Sequence, residues 1–226
     1  MRNRVAIFLL LGSVAIVARA QIDQTDSLIM LSKESFSVLY NYTRLCPSVV
    51  WWPLCSDDIG RGHRPTTSHF TTESALPKPR TKDSWFNRSG YDRGHMCPAA
   101  DRTKTREVAL STFTMANVAP QTPFLNRVAW FNAEEKTRQI AKRYHKAVVF
   151  AGCLWATPVE YSSRVKLISV PDSFFRAVIV PADTTINIYW LFPAAATEPE
   201  ETCYRVPRDR FRRALKNRFT KFGFVW

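Results

Sequence analysis

Apolar residues in this chain fall into short blocks separated by polar, turn-rich stretches. Phe36 to Tyr42 (FSVLYNY) and Val49 to Leu54 (VVWWPL) are dense in aromatic and β-branched side chains, which predicts two strands. Lys146 to Leu154 (KAVVFAGCL) is a continuous apolar run fit for a central strand, and Val165 to Val180, containing VPDSFFRAVIV, predicts another. Ile186 to Phe192 (INIYWLF) adds a further strand. From Asn126 to about Tyr144 the composition changes to Ala, Glu, Lys, Arg and Gln with neither Pro nor Gly, which predicts a helix. Pro207 to Phe219 predicts a second, basic amphipathic helix, with Phe211, Leu215 and Phe219 spaced by four. Residues 21 to 35 read as a loose start, and Thr112 to Ala119 as a short strand or an irregular segment. Between Ser56 and Arg88 the periodicity dissolves into Gly, Pro, Ser, Thr and scattered charges, a long surface loop of the kind that often carries function. Strands, loop, strand, helix, strands, helix: this order predicts an α+β domain without internal repeats.

Composition and charge narrow the class. Hydrophobic residues make up 46% and charged residues 23% of the 226, a globular balance that allows one domain with a single core. A formal net charge of +13 points to polyanionic partners: nucleic acid, anionic membrane or acidic polysaccharide. The first twenty residues carry Arg2 and Arg4, then the apolar run Val5 to Val17, then Ala18-Arg19-Ala20 before Gln21. That is the layout of a secretory signal peptide, so residues 1–20 are set apart and 21–226 form the domain. The segment contains three of the arginines and no acid; its removal lowers +13 by 3, to +10. The expected product is secreted and has no stable membrane association after cleavage. Cys46, Cys55, Cys97, Cys153 and Cys203 make an odd count, leaving a thiol over or an intermolecular bridge, so a homodimer is an open alternative. Cys46 and Cys55 flank a short apolar segment and form the first expected bridge; Cys97 with Cys153 is the second.

The candidate chemistry starts at Tyr91-Asp92-Arg93-Gly94-His95-Met96-Cys97-Pro98-Ala99-Ala100-Asp101-Arg102. His95 has the residue type suited to proton transfer near neutral pH, and Arg93 offers a planar fork for phosphate oxygens. Gly94 removes a Cβ, which suits a sharp backbone turn or the approach of a bulky substrate. A lone histidine in a strand is more often structural than catalytic. Downstream, Asn126, Trp130, Glu134 and Arg138 recur at steps of four. On a helix of 3.6 residues per turn the first three share one face, with Arg138 drifting to its edge. By itself that is an amphipathic helix with a Trp anchor and a Glu–Arg pair. The two motifs occurring together reverse both bland readings.

DRGHMCPAADR followed by N-V-A-P-Q-x-x-x-x-N-x-x-x-W-x-x-x-E-x-x-x-R resembles the DNA/RNA non-specific endonuclease family, which includes Serratia-type nucleases and endonuclease G. The resemblance implies a ββα-metal (His-Me finger) nuclease of the α+β class, with a central antiparallel sheet flanked by helices. It implies that His95 is the general base and that Asn126 binds Mg²⁺, with Mn²⁺ able to substitute. Glu134 would hold waters around the metal, Arg93 and Arg138 would neutralise phosphate oxygens, and Asn117 and Gln121 would position the histidine loop, metal and substrate. Asp92 would fix Arg93 or the loop. Arg64 is the candidate for an additional upstream family arginine. The expected partners are DNA and RNA, read through the backbone with little sequence specificity and cut to leave 5′-phosphate ends. The alternative is a secreted basic nucleic-acid or polyanion binding module on the same scaffold, without turnover.

Overall fold

The computed structural model describes residues 27–60, 62, 65, 69–156, 159, 161–162, 164–215 and 219. Residues 1–20, read as a signal segment, and Arg64 lie outside the described residues. Six strands form one antiparallel sheet: β1 (Leu28–Ser32), β2 (Ser37–Asn41), β3 (Cys46–Cys55), β6 (Lys146–Leu154), β7 (Ser173–Ile179) and β8 (Ile188–Pro193). They are arranged in the order β1-β2-β3-β6-β7-β8. The remaining strands, β4 (Asp92–His95) and β5 (Val118–Gln121), form an antiparallel ribbon. Among the described residues three α-helices accompany them: α1 (Arg106–Ser111), α2 (Phe131–Tyr144) and α3 (Arg208–Leu215).

Side chains alternate across the central strands, and this divides the core into two layers. On β7, Phe174 and Val178 join the larger cluster with Trp52, Val149, Trp130 and Ala141, beneath α2. Their neighbours Phe175 and Ala177 join Leu39, Val49, Tyr189, Phe211 and Leu215, beneath α3. Burying a Leu or Phe side chain of this kind contributes about 1.5–3 kcal/mol, so the spacing of Phe211 and Leu215 is what docks α3. β4 and β5, followed by the helical segment from Leu125, make a ββα unit against the α2 side of the sheet.

Several sequence expectations change. β1 occupies what reads as a loose start; Leu28–Ser32 pairs with Ser37–Asn41 across a tight turn, and pairing converts a weak apolar cluster into an edge strand. The 56–88 stretch has short 3₁₀ turns at Ser56–Asp58 and Asp83–Phe86. Helix α1 within 106–111 is capped by Thr105, whose hydroxyl accepts from the Val108 amide; its six residues are too few for a periodic signal. The expected Cys46–Cys55 bridge is excluded, because the two residues are opposite ends of the ten-residue strand β3. At about 3.3 Å per residue they lie about 30 Å apart, far beyond disulfide reach. Nor does Cys153 face Cys97: its Sγ lies 3.9 Å from that of Cys46, and the described cysteines are all thiols.

Candidate active site

A cleft of about 290 Å³ opens where the β4–β5 ribbon meets the helix. Its lining includes Arg93, His95, Phe113, Asn126, Arg127, Phe131, Glu134 and Arg138. His95 ends β4, with its ring between Phe70 and Phe113 at centroid distances of 4.9 Å each. Its Nε2 is enclosed without a hydrogen-bond partner among the described residues. Burial pushes the imidazole pKa down to about 4, so the ring is neutral at physiological pH. The backbone beside it is pinned from two directions. Trp130 Nε1 donates to the His95 carbonyl at 3.2 Å, and Arg176 Nη2 donates to that of Met96 at 3.4 Å.

The helical side begins with a π-helical turn, Leu125–Trp130, that runs directly into α2. Wide turns of this type are rare and recur at functional sites. Asn126, Glu134 and Arg138 line the cleft, whereas Trp130 is buried in the core against Phe174 and Phe192. Asn126 donates its amide Nδ2 to Asp92 Oδ2 at 3.0 Å. A carboxylate can only accept, so the amide orientation is settled and the carbonyl oxygen is left for the cleft. Asp92 also receives both Arg127 donors at 2.7 Å, which holds its own pKa down. The aspartate therefore fixes Asn126 and Arg127 rather than Arg93. Arg93 is instead tied to the carboxylate of Asp83, and its Nη2 donates to the Asp83 carbonyl and to Asn87 Oδ1 at 2.8 Å each.

Glu134 sits in a buried charge network. Its Oε1 lies 3.4 Å from Arg176 Nη2 and its Oε2 lies 3.9 Å from Arg138 Nη1. Burial nevertheless outweighs both cations and pushes the carboxyl pKa up to about 7. Arg138 donates to buried Asp101 at 2.9 Å, and Asp101 also accepts from Trp52 Nε1 at 3.1 Å. Arg176 is fully buried, with its guanidinium over the rings of Trp130 (4.8 Å) and Trp52 (5.6 Å).

The remaining predicted residues lie behind the cleft. Asn117 is buried and staples the loop after His95: its Oδ1 accepts from the Cys97 amide at 2.9 Å, and its Nδ2 donates to the Cys97 and Thr112 carbonyls at 2.8 and 3.0 Å. Gln121 is wholly buried and does not line the cleft, so a direct substrate contact is replaced by a packing role. A Cβ on Gly94 would meet the Gln121 side chain at 2.1 Å. The glycine is there to admit Gln121, not to form a turn.

The profile of DNA/RNA non-specific endonucleases matches residues 15–222, most of the chain. The protein belongs to the DNA/RNA non-specific endonuclease family. A nuclease of Nostoc sp. is 32% identical over 178 residues, covering 78% of this chain and 62% of the Nostoc protein. Mitochondrial endonuclease G of Bos taurus is 32% identical over 132 residues, 54% of this chain and 44% of the bovine protein. The chain thus spans between 44% and 62% of the length of these relatives. The solved structure of an EndoG/EndoGI complex superposes with a TM-score of 0.69, covering 83% of each chain at 21% identity, which shows the shared fold. Within this endonuclease fold, sequence reasoning missed Arg127, Asp101 and Arg176. A charge inside the apolar run VPDSFFRAVIV was a usable signal for Arg176, since a buried cation requires partners. Asp101 and Arg127 carried no comparable mark.

Proposed function

We propose that this endonuclease-family chain hydrolyses phosphodiester bonds of DNA and RNA with little sequence specificity, leaving 5′-phosphate ends. The observation that carries this reading is a neutral histidine sharing one cleft with an oriented amide oxygen, a buried carboxyl group and three arginines. His95 takes a proton from the attacking water, a task its lowered pKa leaves it free to perform at neutral pH. Arg93 and Arg138 compensate the non-bridging oxygens, each held in place by its carboxylate partner. Arg64, outside the described residues, is proposed to add a further substrate contact.

The donor set suits a small hard cation. Among the described residues no cluster of three or more His, Cys, Asp or Glu is present, so a cation would rely on few protein oxygens and on water, as Mg²⁺ prefers. Asn126 would hold it through the carbonyl oxygen that Asp92 leaves free, with Glu134 accepting from waters around it; Mn²⁺ would substitute. When bound, the cation supplies charge compensation at the phosphate and the leaving 3′ oxygen. Residues 1–20 are proposed to direct export, making the enzyme a secreted one.

Plasmid and RNA cleavage by the mature protein tests the reading. Cleavage is expected with Mg²⁺, none in EDTA, and a loss of about 10²-fold or more in His95→Ala. Full activity in His95→Ala would refute the assigned base. Tight binding without cleavage under any divalent metal would favour a binding module instead.

A further inference from the structure

Large hydrophobic side chains are exposed at four described positions: Phe124, Phe131, Tyr161 and Leu167. Phe124 and Phe131 flank Asn126 and Arg127 within one short stretch of helix, at 38% and 42% exposure. Packing does not account for Phe131, because Leu125, Ala129, Trp130 and Ala133 already supply the buried face of this helical segment. Phe131 lines the cleft together with His95, Asn126 and Glu134. It is the first residue of α2, directly after the π-helical turn, so its ring sits on the rim beside the groups assigned to the scissile phosphate.

We propose that Phe131 is a stacking platform for an unpaired nucleobase next to the scissile phosphate, so that the preferred substrate is single-stranded or locally unwound nucleic acid. The proposal rests on the phosphodiester reading of the cleft and deepens it. Every base has a π-face, so such a platform is tolerant of sequence, in keeping with a site that otherwise grips the backbone. In a duplex both faces of a base are covered by its neighbours, and the ring has nothing to stack on. The charged neighbours agree with this division of labour. Arg93, Arg127 and Arg138 border the cleft, and Arg127 donates to both oxygens of Asp92. Cations for the phosphates and a ring for the base share one rim.

Binding separates this role from turnover. Fluorescent single-stranded oligonucleotides, intact or fully abasic, and a duplex of the same length would be titrated in EDTA with wild type, Phe131→Ala and Phe131→Trp. Wild type is expected to bind the intact strand about tenfold tighter than the abasic strand. Phe131→Ala is expected to remove most of that difference while leaving affinity for the abasic strand unchanged, and Phe131→Trp to retain it. In Mg²⁺, Phe131→Ala should also shift the single-strand to duplex ratio of kcat/KM toward the duplex. Equal weakening of both strands, no change for either, or no binding of any strand would overturn the proposal. Failure of the nuclease reading has a different signature: wild type would show the base-dependent binding yet cleave nothing with Mg²⁺.

Discussion

At the scale of single residues, the site holds two titrating groups that burial shifts in opposite chemical directions. His95 is lowered to about 4 from its ordinary 6.5, and Glu134 is raised to about 7 from 4.5. For His95 the unfolded chain binds the extra proton between pH 4 and 6.5, so its contribution to stability is lost as pH falls through that window. For Glu134 the folded chain binds the extra proton between pH 4.5 and 7, so stability is lost as pH rises through it. The two effects oppose one another in the metal-free protein. Wild-type urea midpoints are therefore expected to change little from pH 4.5 to 6.5. Glu134→Gln should unmask a rise with pH, and His95→Phe a fall. Parallel curves for all three proteins would show that these groups are not buried as described. Arg176 explains why Glu134 is tolerable at all: it places a cation beside the carboxyl, and the faces of Trp52 and Trp130 cover that cation in turn.

At the scale of elements, the β4–β5 ribbon depends on one missing side chain. Gln121 occupies the space beside Gly94, and both of its amide atoms are buried without partners among the described residues. Gly94→Ala should destabilise the protein by about 1–3 kcal/mol through overpacking and lower activity by displacing His95, one residue away. Shortening the obstruction should restore most of this, so Gly94→Ala combined with Gln121→Ala is expected to melt above Gly94→Ala alone. Thermal unfolding of the three proteins decides it; additive losses would place the clash elsewhere. The π-helical turn is the other element-scale device. It runs directly into α2; Asn126 and Glu134 line the cleft, and Trp130, between them in sequence, anchors in the core.

At the scale of the whole molecule, a net charge of +13 accompanies a cleft bordered by arginines. Binding that neutralises phosphates releases counterions, so affinity falls linearly in log–log form with salt. On a single strand, six phosphate contacts would cost about 300-fold between 50 and 200 mM salt, and fewer contacts correspondingly less. Fluorescence anisotropy with a single-stranded oligonucleotide across that range would check it. A flat response would mean that the basic surface does not hold the backbone.

Much was legible before folding. The strands Lys146–Leu154 and Ser173–Ile179 announce themselves by apolar density, and α2 by composition, because both signals are local. The family motifs placed His95, Asn126 and Glu134, since fixed spacing along one helix or strand survives into three dimensions. Of their partners, only the contact of Glu134 with Arg138 one turn on was legible. Asp92 belongs to Asn126, Asp83 to Arg93, Asp101 to Arg138 and Arg176 to Glu134, pairings that join distant segments through the fold. The cysteines teach the same lesson: Cys46 and Cys55 are neighbours in sequence and opposite ends of a strand, whereas Cys46 and Cys153 meet across the sheet. By itself the sequence determined the family and the class of fold, because motif spacing and local periodicity are properties of the chain. Which charges pair, which nitrogen is left neutral and which glutamine requires a glycine were decided only by tertiary structure, where burial strips away water and leaves each polar group to the neighbours that packing assigns.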